Sequence, residues 1–239
     1  MAKKWLLRRY AAGLSDGIKR SRATMATPWQ RALGHLESVF IDHACFRLIY
    51  ANLHRLSPRM YRSSQPSPVH VRRAAAAGIR TIVNLRGHRD CASYILEGEA
   101  CAAAGVVLEN FPVNSRDMPK KETLHAARAL FERIEYPALM HCKSGADRAG
   151  FMAALYLFIH EGVPLETATR QLHWKYGHFK QAKTGILDYF FELYAAYNAR
   201  HPIDFWDWVD RVYDPVQAKA DFRSRQWADT VVDRLLARE

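Results

Sequence analysis

A chain of 239 residues, 49% hydrophobic and 25% charged, is long enough for one substantial core with extensions, and this ordinary balance excludes wholesale disorder and fibrous repeats. Its 35 Lys plus Arg against 24 Asp plus Glu leave a net charge of +11, which favours anionic partners (phosphorylated substrates, acidic lipid headgroups or nucleic acid) without choosing among them. Cys45, Cys91, Cys101 and Cys142 form no CxxC pair and no metal-ligand spacing, so neither a zinc site nor a disulfide scaffold is indicated and a reducing compartment fits best.

The first 43 residues carry eight Lys or Arg against Asp16, Glu37 and Asp42, and Leu6, Tyr10, Leu14 and Ile18 recur every four residues. This basic amphipathic pattern suits a helix lying on an anionic membrane surface, and equally a solvated extension folded on the core. Gly13 and Gly17 each weaken such a helix by roughly 1 kcal/mol relative to alanine. Arg8 and Arg9 interrupt any apolar stretch of a secretory signal, whereas the Arg-rich, acid-poor start leaves an organelle transit peptide open.

From about residue 60 the pattern becomes regular. Ser67 and Pro68 predict an N-cap and first-turn proline, the alanine-rich run to Ala77 a helix, and Gly78 its end. Residues 79–85 read as a strand, 89–104 as a helix closed by Gly105, and 106–111 as a second strand. After a loop over 112–119 come a helix to about residue 135 and a short apolar strand over 138–141. Strand and helix alternating in this way predict βαβ units: an α/β fold with a central, mainly parallel sheet of four to five strands flanked by helices. Ligands of such sheets gather outside the carboxyl ends of the strands, where Cys142 falls.

Residues 149–161, 164–175 and 184–200 read as further helices. The uncharged run 149–160 is too short to cross a bilayer and is read as a core helix. Residues 201–239 hold Trp206, Trp208 and Trp227, which are expected to pack against the domain rather than to anchor in a membrane. The expected organisation is a basic extension over 1–44, a catalytic domain over 45–200 and an aromatic helical tail over 201–239.

The chemistry concentrates in residues 141–150, HCKSGADRAG. A phosphate monoester dianion needs neutralisation of three nonbridging oxygens and a nucleophile in line with phosphorus. A strand-to-helix loop supplies this through successive backbone N–H groups and the positive helix N-terminus. The backbone of Lys143, Ser144, Gly145, Ala146, Asp147 and Arg148 would form the cradle, with Gly145 allowing the tight curl. The same field stabilises a thiolate, which makes Cys142 the nucleophile. Arg148 offers a planar fork to two phosphoryl oxygens, which lysine could not reproduce. His141 either orients the loop through hydrogen bonds or is a satisfied histidine at a strand end. Lys143 either adds charge at the pocket rim or is simply solvated.

His141, Cys142, Gly145 and Arg148 resemble the HCxxGxxR signature of protein tyrosine phosphatases, and the βα-rich surroundings resemble the dual-specificity branch. Residues 61–66 (YRSSQP) and 84–87 (NLRG) also resemble segments of small bacterial and atypical dual-specificity phosphatases. The resemblance covers about residues 45–198 and implies the cysteine-phosphatase fold, hydrolysis through a phosphocysteine, and no metal or other cofactor. It further implies a general acid on a loop ahead of the cysteine, for which Asp117, in residues 114–119 (NSRDMP), is the candidate. Asp147 competes for that role, because the loop also resembles the CxxxxDR loops of myotubularin-like phosphoinositide phosphatases; otherwise Asp147 would brace the loop by a salt bridge to Arg86 or a nearby lysine. Ala149 departs from the serine or threonine usual after the arginine, so breakdown of the phosphoenzyme is expected to be slow unless Ser144 supplies the hydroxyl. Cys91 and Cys101 read as resolving thiols or as small core residues.

Three function classes remain to be separated. The first is a phosphomonoesterase acting on a phosphorylated protein side chain or on an anionic phospholipid, with cytoplasmic location and peripheral contact with the inner face of a membrane. The second is a silent phospho-ligand binding module, which would call for a missing nucleophile or arginine. Nucleic-acid binding rests on net charge alone and is not expected.

Overall fold

The computed structural model describes residues 51–236, with side chains to residue 225. The basic extension, Cys45 and the indole of Trp227 lie outside these described residues.

Five strands form one sheet: β1 (His54–Arg55), β2 (Met60–Ser64), β3 (Thr81–Asn84), β4 (Val107–Asn110) and β5 (Ala138–Cys142), in spatial order β1-β2-β5-β3-β4. All neighbours are parallel except β1, which returns antiparallel along β2. This is the mainly parallel α/β sheet that the alternating pattern predicts. The helices are α1 (Pro68–Ala76), α2 (Ala92–Ala104), α3 (Lys121–Arg133), α4 (Asp147–Ile159), α5 (Leu165–Ala168), α6 (Ile186–Asn198), α7 (Phe205–Arg211) and α8 (Pro215–Leu236). None of the described helices is long and apolar enough to cross a membrane.

β5 is the central strand, and every residue of it is buried. Successive side chains point to opposite faces. Ala138, Met140 and Cys142 therefore join a large core shared with α3, α4 and α6, whereas Leu139 joins a smaller one with Val71 of α1 and Cys101 of α2. Register places Cys142 opposite Ser64 of β2 and His141 opposite Asn84 of β3. The nucleophile candidate thus emerges at the carboxyl edge with a parallel strand end on either side.

Helix punctuation follows local chemistry. Pro68 opens α1, and glycines with positive φ, Gly78 (+88°) and Gly105 (+67°), follow α1 and α2. On α3, Leu124, Ala127, Leu130 and Phe131 form the buried stripe. The apolar run of α4 is buried throughout residues 149–157, as a core helix should be.

Two segments depart from expectation. β2 does not read as a strand in the sequence, because its MYRSS run carries an arginine and two serines on what is in fact an interior strand. The single helix expected over 164–175 is broken: α5 gives way to 3₁₀ turns at Thr169–Gln171 and Trp174–Tyr176, with His173 extended between them. The carbonyl of Gln171 accepts from Arg62 Nη1 at 2.7 Å instead of from a following turn of helix. A tertiary hydrogen bond has overridden local propensity there.

The C-terminal residues pack into the main core. Asp204 caps α7 by accepting from Trp206 N at 2.8 Å, and Phe205, Trp208, Tyr213 and Phe222 are buried with Phe190 of α6. Trp206 stacks on His125 of α3, with centroids 5.0 Å apart. Of the three C-terminal tryptophans, the two with described side chains, Trp206 and Trp208, are packing groups, as expected.

Candidate active site

Residues 143–146 link β5 to α4, and their four carbonyls are all held from one side. Gln65 N donates to Lys143 O at 3.4 Å, Asn52 Nδ2 to Ser144 O at 2.9 Å, and Arg62 Nη2 to Gly145 O at 2.6 Å and Ala146 O at 3.1 Å. A trans peptide points its N–H opposite its C=O. The amides of residues 144–147 therefore face away from these donors, toward the open side of the loop, where the N-terminus of α4 adds positive potential. A loop held in this way can cradle an anion, and β2 and its flanks hold it from outside.

Arg62 is the pivot of that support. Its side chain is wholly buried, and its other nitrogen donates to Gln171 O at 2.7 Å and Gln171 Oε1 at 3.0 Å. The guanidinium lies over the Tyr176 ring, 4.3 Å from its centroid. Asn52 is oriented by His54, whose Nε2 lies 2.9 Å from Asn52 Oδ1; burial, then the charges of Arg62 and Lys175, hold that imidazole below its ordinary pKa. Gly145, at φ +75°, presses on the same scaffold: a Cβ there would stand 2.7 Å from Ser63 C and Ser64 N. Only glycine combines that φ with that approach.

Behind the loop runs a buried polar chain. His141 Nε2 lies 2.6 Å from Glu97 Oε1, with both side chains wholly buried, and Gln65 Nε2 donates to Glu97 Oε2 at 2.8 Å. Arg86 in turn donates to Gln65 Oε1. His141 is thereby held at the end of β5 beside the loop, an arrangement open to both expectations for it.

Cys142 is 2% exposed at the end of β5. Leu85 is the junction that brings the other groups near. Its N–H donates to His141 O at 2.9 Å, while its carbonyl receives Val113 N at 3.2 Å and Arg148 Nη1 at 3.5 Å. Arg148, in the first turn of α4, therefore lies beside the strand end next to Cys142, and the chain that leads to Asp117 starts from the same point. Lys143 and Ser144 are exposed, and Gly145 and Ala146 are buried.

The two acid candidates are differently engaged. Asp147 Oδ1 lies 2.7 Å from Nδ1 of the buried His178, whose Nε2 lies 2.7 Å from Asp188 Oδ2. Burial opposes charge on His178, but the hydrogen bonds and charges of the two aspartates prevail and raise it to about 9. Asp147 thus has a bracing contact, but its partner is His178 and not the Arg86 or lysine expected. A raised folded pKa stabilises fully below the unfolded value of about 6.5 and is lost as pH rises through about 9. The urea midpoint should therefore fall across that window, and His178→Gln should flatten the fall.

Asp117 sits in the loop between β4 and α3, where Lys219 of α8 contacts Oδ1 at 2.8 Å and Oδ2 at 2.9 Å. The Lys219 hydrogen bond, chiefly, holds this carboxyl below its ordinary pKa; partial burial pulls the other way, and Met118 N–H and the Arg223 charge add to the lowering. The same loop is tied by Tyr213 Oη donating to Pro119 O at 2.8 Å, and α3 by Lys121 Nζ donating to Asp210 O at 2.9 Å. Cys101 is buried in the smaller core, and burial, then the Glu97 charge, push its thiol up to about 12, which suits a packing residue. Cys91 stands at the start of α2.

Sequence reasoning missed Arg62, Asn52, Gln65, Glu97 and His178 as parts of the site. The run 61–66 carried a signal only as a family resemblance, and an acid within the apolar helix of Glu97 was the other available hint.

The description "Swiss Army Knife protein, DSP-PTPase phosphatase domain" (PTP-SAK) belongs to the family model that matches residues 55–182. The dual specificity protein phosphatase TpbA of Pseudomonas aeruginosa (strain UCBPP-PA14) is 31% identical over 125 residues, covering 51% of this chain and 53% of that protein. The chain thus spans about half the length of the curated relatives it matches. A crystal structure of TpbA from P. aeruginosa superposes with a TM-score of 0.49 at 27% identity, covering 59% of this chain and 84% of that one. The active form of Tk-PTP gives a TM-score of 0.46 at 20% identity, over 59% of this chain and 97% of the other. Because the family match spans more than half the chain and takes in the cradle together with the Arg62 strand and the His178 brace, this protein belongs to the PTP-SAK group of DSP-PTPase phosphatase domains.

Proposed function

We propose that the chain is a cysteine-dependent phosphomonoesterase of the protein tyrosine and dual-specificity type, acting through a phosphocysteine. The observation that carries this reading is the set of four consecutive loop carbonyls held outward, which turns the intervening amides toward a bound oxyanion next to Cys142 and Arg148. A phosphate dianion bound there would be stabilised most as charge spreads over its equatorial oxygens in the transition state. The Cys142 thiolate attacks phosphorus and the leaving oxygen takes a proton from Asp117. Asp117, again ionised, then draws a proton from the water that releases phosphate.

Asp117 is preferred to Asp147 because Asp147 is already committed to His178, inside the brace of the loop. Asp117 must shed Lys219 to carry a proton, and because that lysine belongs to α8 and touches none of the groups that hold the cradle, the contact can break without disturbing the cradle. The silent binding module is disfavoured by the presence of both Cys142 and Arg148. The similarity to the dual specificity protein phosphatase TpbA supports a phosphorylated protein as substrate. The net charge of +11 supports an anionic phospholipid as the second reading, with peripheral membrane contact on the cytoplasmic side.

Hydrolysis of p-nitrophenyl phosphate in EDTA, blocked by vanadate, is the test. Turnover under those conditions is expected; its absence, or turnover only after a divalent metal is added, would overturn the reading.

A further inference from the structure

Two of the large hydrophobic side chains exposed among the described residues, Trp174 at 70% and Phe179 at 59%, lie five residues apart on the segment that follows α5. Arg170, Lys175, Lys180 and Lys183 surround them in sequence, and no Asp or Glu occurs between Glu166 and Asp188. Lys180 touches Glu192 of α6 and Lys175 lies over the Tyr176 ring at 4.6 Å.

The segment is locked to the phosphate cradle at three points. Asn52 Nδ2 bridges Ser144 O and Tyr176 O, at 2.9 and 3.0 Å; a Cβ on Gly177 would stand 3.7 Å from the Ala146 methyl; His178 pairs with Asp147 at 2.7 Å. The exposed rings are therefore carried at a fixed place relative to the loop, on the side from which its carbonyls are held. Rings left in water at such cost, on a stretch that carries cations and no Asp or Glu of its own, match the headgroup layer of a bilayer, where indole and phenyl rings sit at the interface and lysines meet anionic lipid.

We infer that residues 173–183 form an interfacial face by which the phosphatase rests on an anionic membrane surface. This deepens the lipid-directed form of the proposed function, and it rests on that reading only for the substrate. The partner is the bilayer itself; charge complementarity and the two unburied rings argue for it over a phosphoprotein, which no carboxylate-free aromatic pair specifically demands.

The experiment uses the full chain and two variants, Trp174→Ala/Phe179→Ala and Lys180→Ala/Lys183→Ala, none of these residues belonging to the cradle. Co-sedimentation is measured with phosphatidylcholine vesicles with and without phosphatidylglycerol, alongside hydrolysis of soluble p-nitrophenyl phosphate. The expected result is binding that needs the anionic lipid, weakened at least about tenfold in each double variant, with soluble turnover unchanged. Undiminished vesicle binding by the aromatic variant, as would follow if another part of the chain held the membrane, would overturn the inference. So would lost turnover of an acidic phosphopeptide with vesicle binding intact, which would make the face a protein-docking surface. Binding without aryl phosphate turnover by the parent chain would instead defeat the proposed chemistry and leave the interfacial face standing.

Discussion

Arg62→Ala is expected to cost about 3–5 kcal/mol of stability and to remove phosphatase activity, because it leaves the carbonyls of Gly145 and Gln171 without this donor and Ala146 O with only Gly150 N. Two of those carbonyls belong to peptide planes whose amides face the proposed phosphate. Freed to rotate, they would turn like poles toward the anion. Arg62→Lys separates the two effects: a point charge keeps part of the stability but cannot span both Gln171 and the loop, so activity should fall much further than the urea midpoint. Equal and slight losses in both variants would mean that the loop holds its shape unaided.

Asp117→Ala should lower kcat by about 10²–10⁴-fold on an alkyl phosphate, whose leaving group needs the proton, and by much less on an aryl ester. It should also erase the basic limb of the pH–rate profile. Asp147→Ala should act through the loop brace instead, with lower stability, loss of the pH-dependent contribution of His178, and a basic limb that survives. Lys219→Met is the complementary change. The lysine holds Asp117 ionised in the resting enzyme, so its removal should move the basic limb to higher pH. If Asp147→Ala abolishes the limb and Asp117→Ala spares it, the acid is Asp147.

The central chemistry was legible because it is local. Cys142, Gly145 and Arg148 lie within one strand–loop–helix connection, and the alternation of elements around them was enough to place Cys142 at the carboxyl edge of a parallel sheet. What sequence could not show was the support, which comes from far along the chain. Arg62 reaches Gly145 across 83 positions and Asn52 reaches Tyr176 across 124. β2 hid for the same reason: its inward polar side chains serve the loop, so it lacks the apolar run by which interior strands are recognised. The expected helix over 164–175 failed where Gln171 turned its carbonyl to Arg62. Asp117 was singled out from its place before a helix, but its partner Lys219 lies 102 positions later, and with it the release that the proposed acid role requires.

The most direct measurement is chemical. Reaction of the parent chain with p-nitrophenyl phosphate, quenched in denaturant within the first turnovers and digested, should give a phosphoryl group on the peptide that carries Cys142. Slow breakdown at a loop with Ala149 after the arginine would favour its accumulation, and Cys142→Ser should give neither thiol adduct nor turnover. Continued hydrolysis with no phosphoryl group on Cys142, or a Cys142→Ser enzyme within about tenfold of the parent, would contradict a cysteine nucleophile.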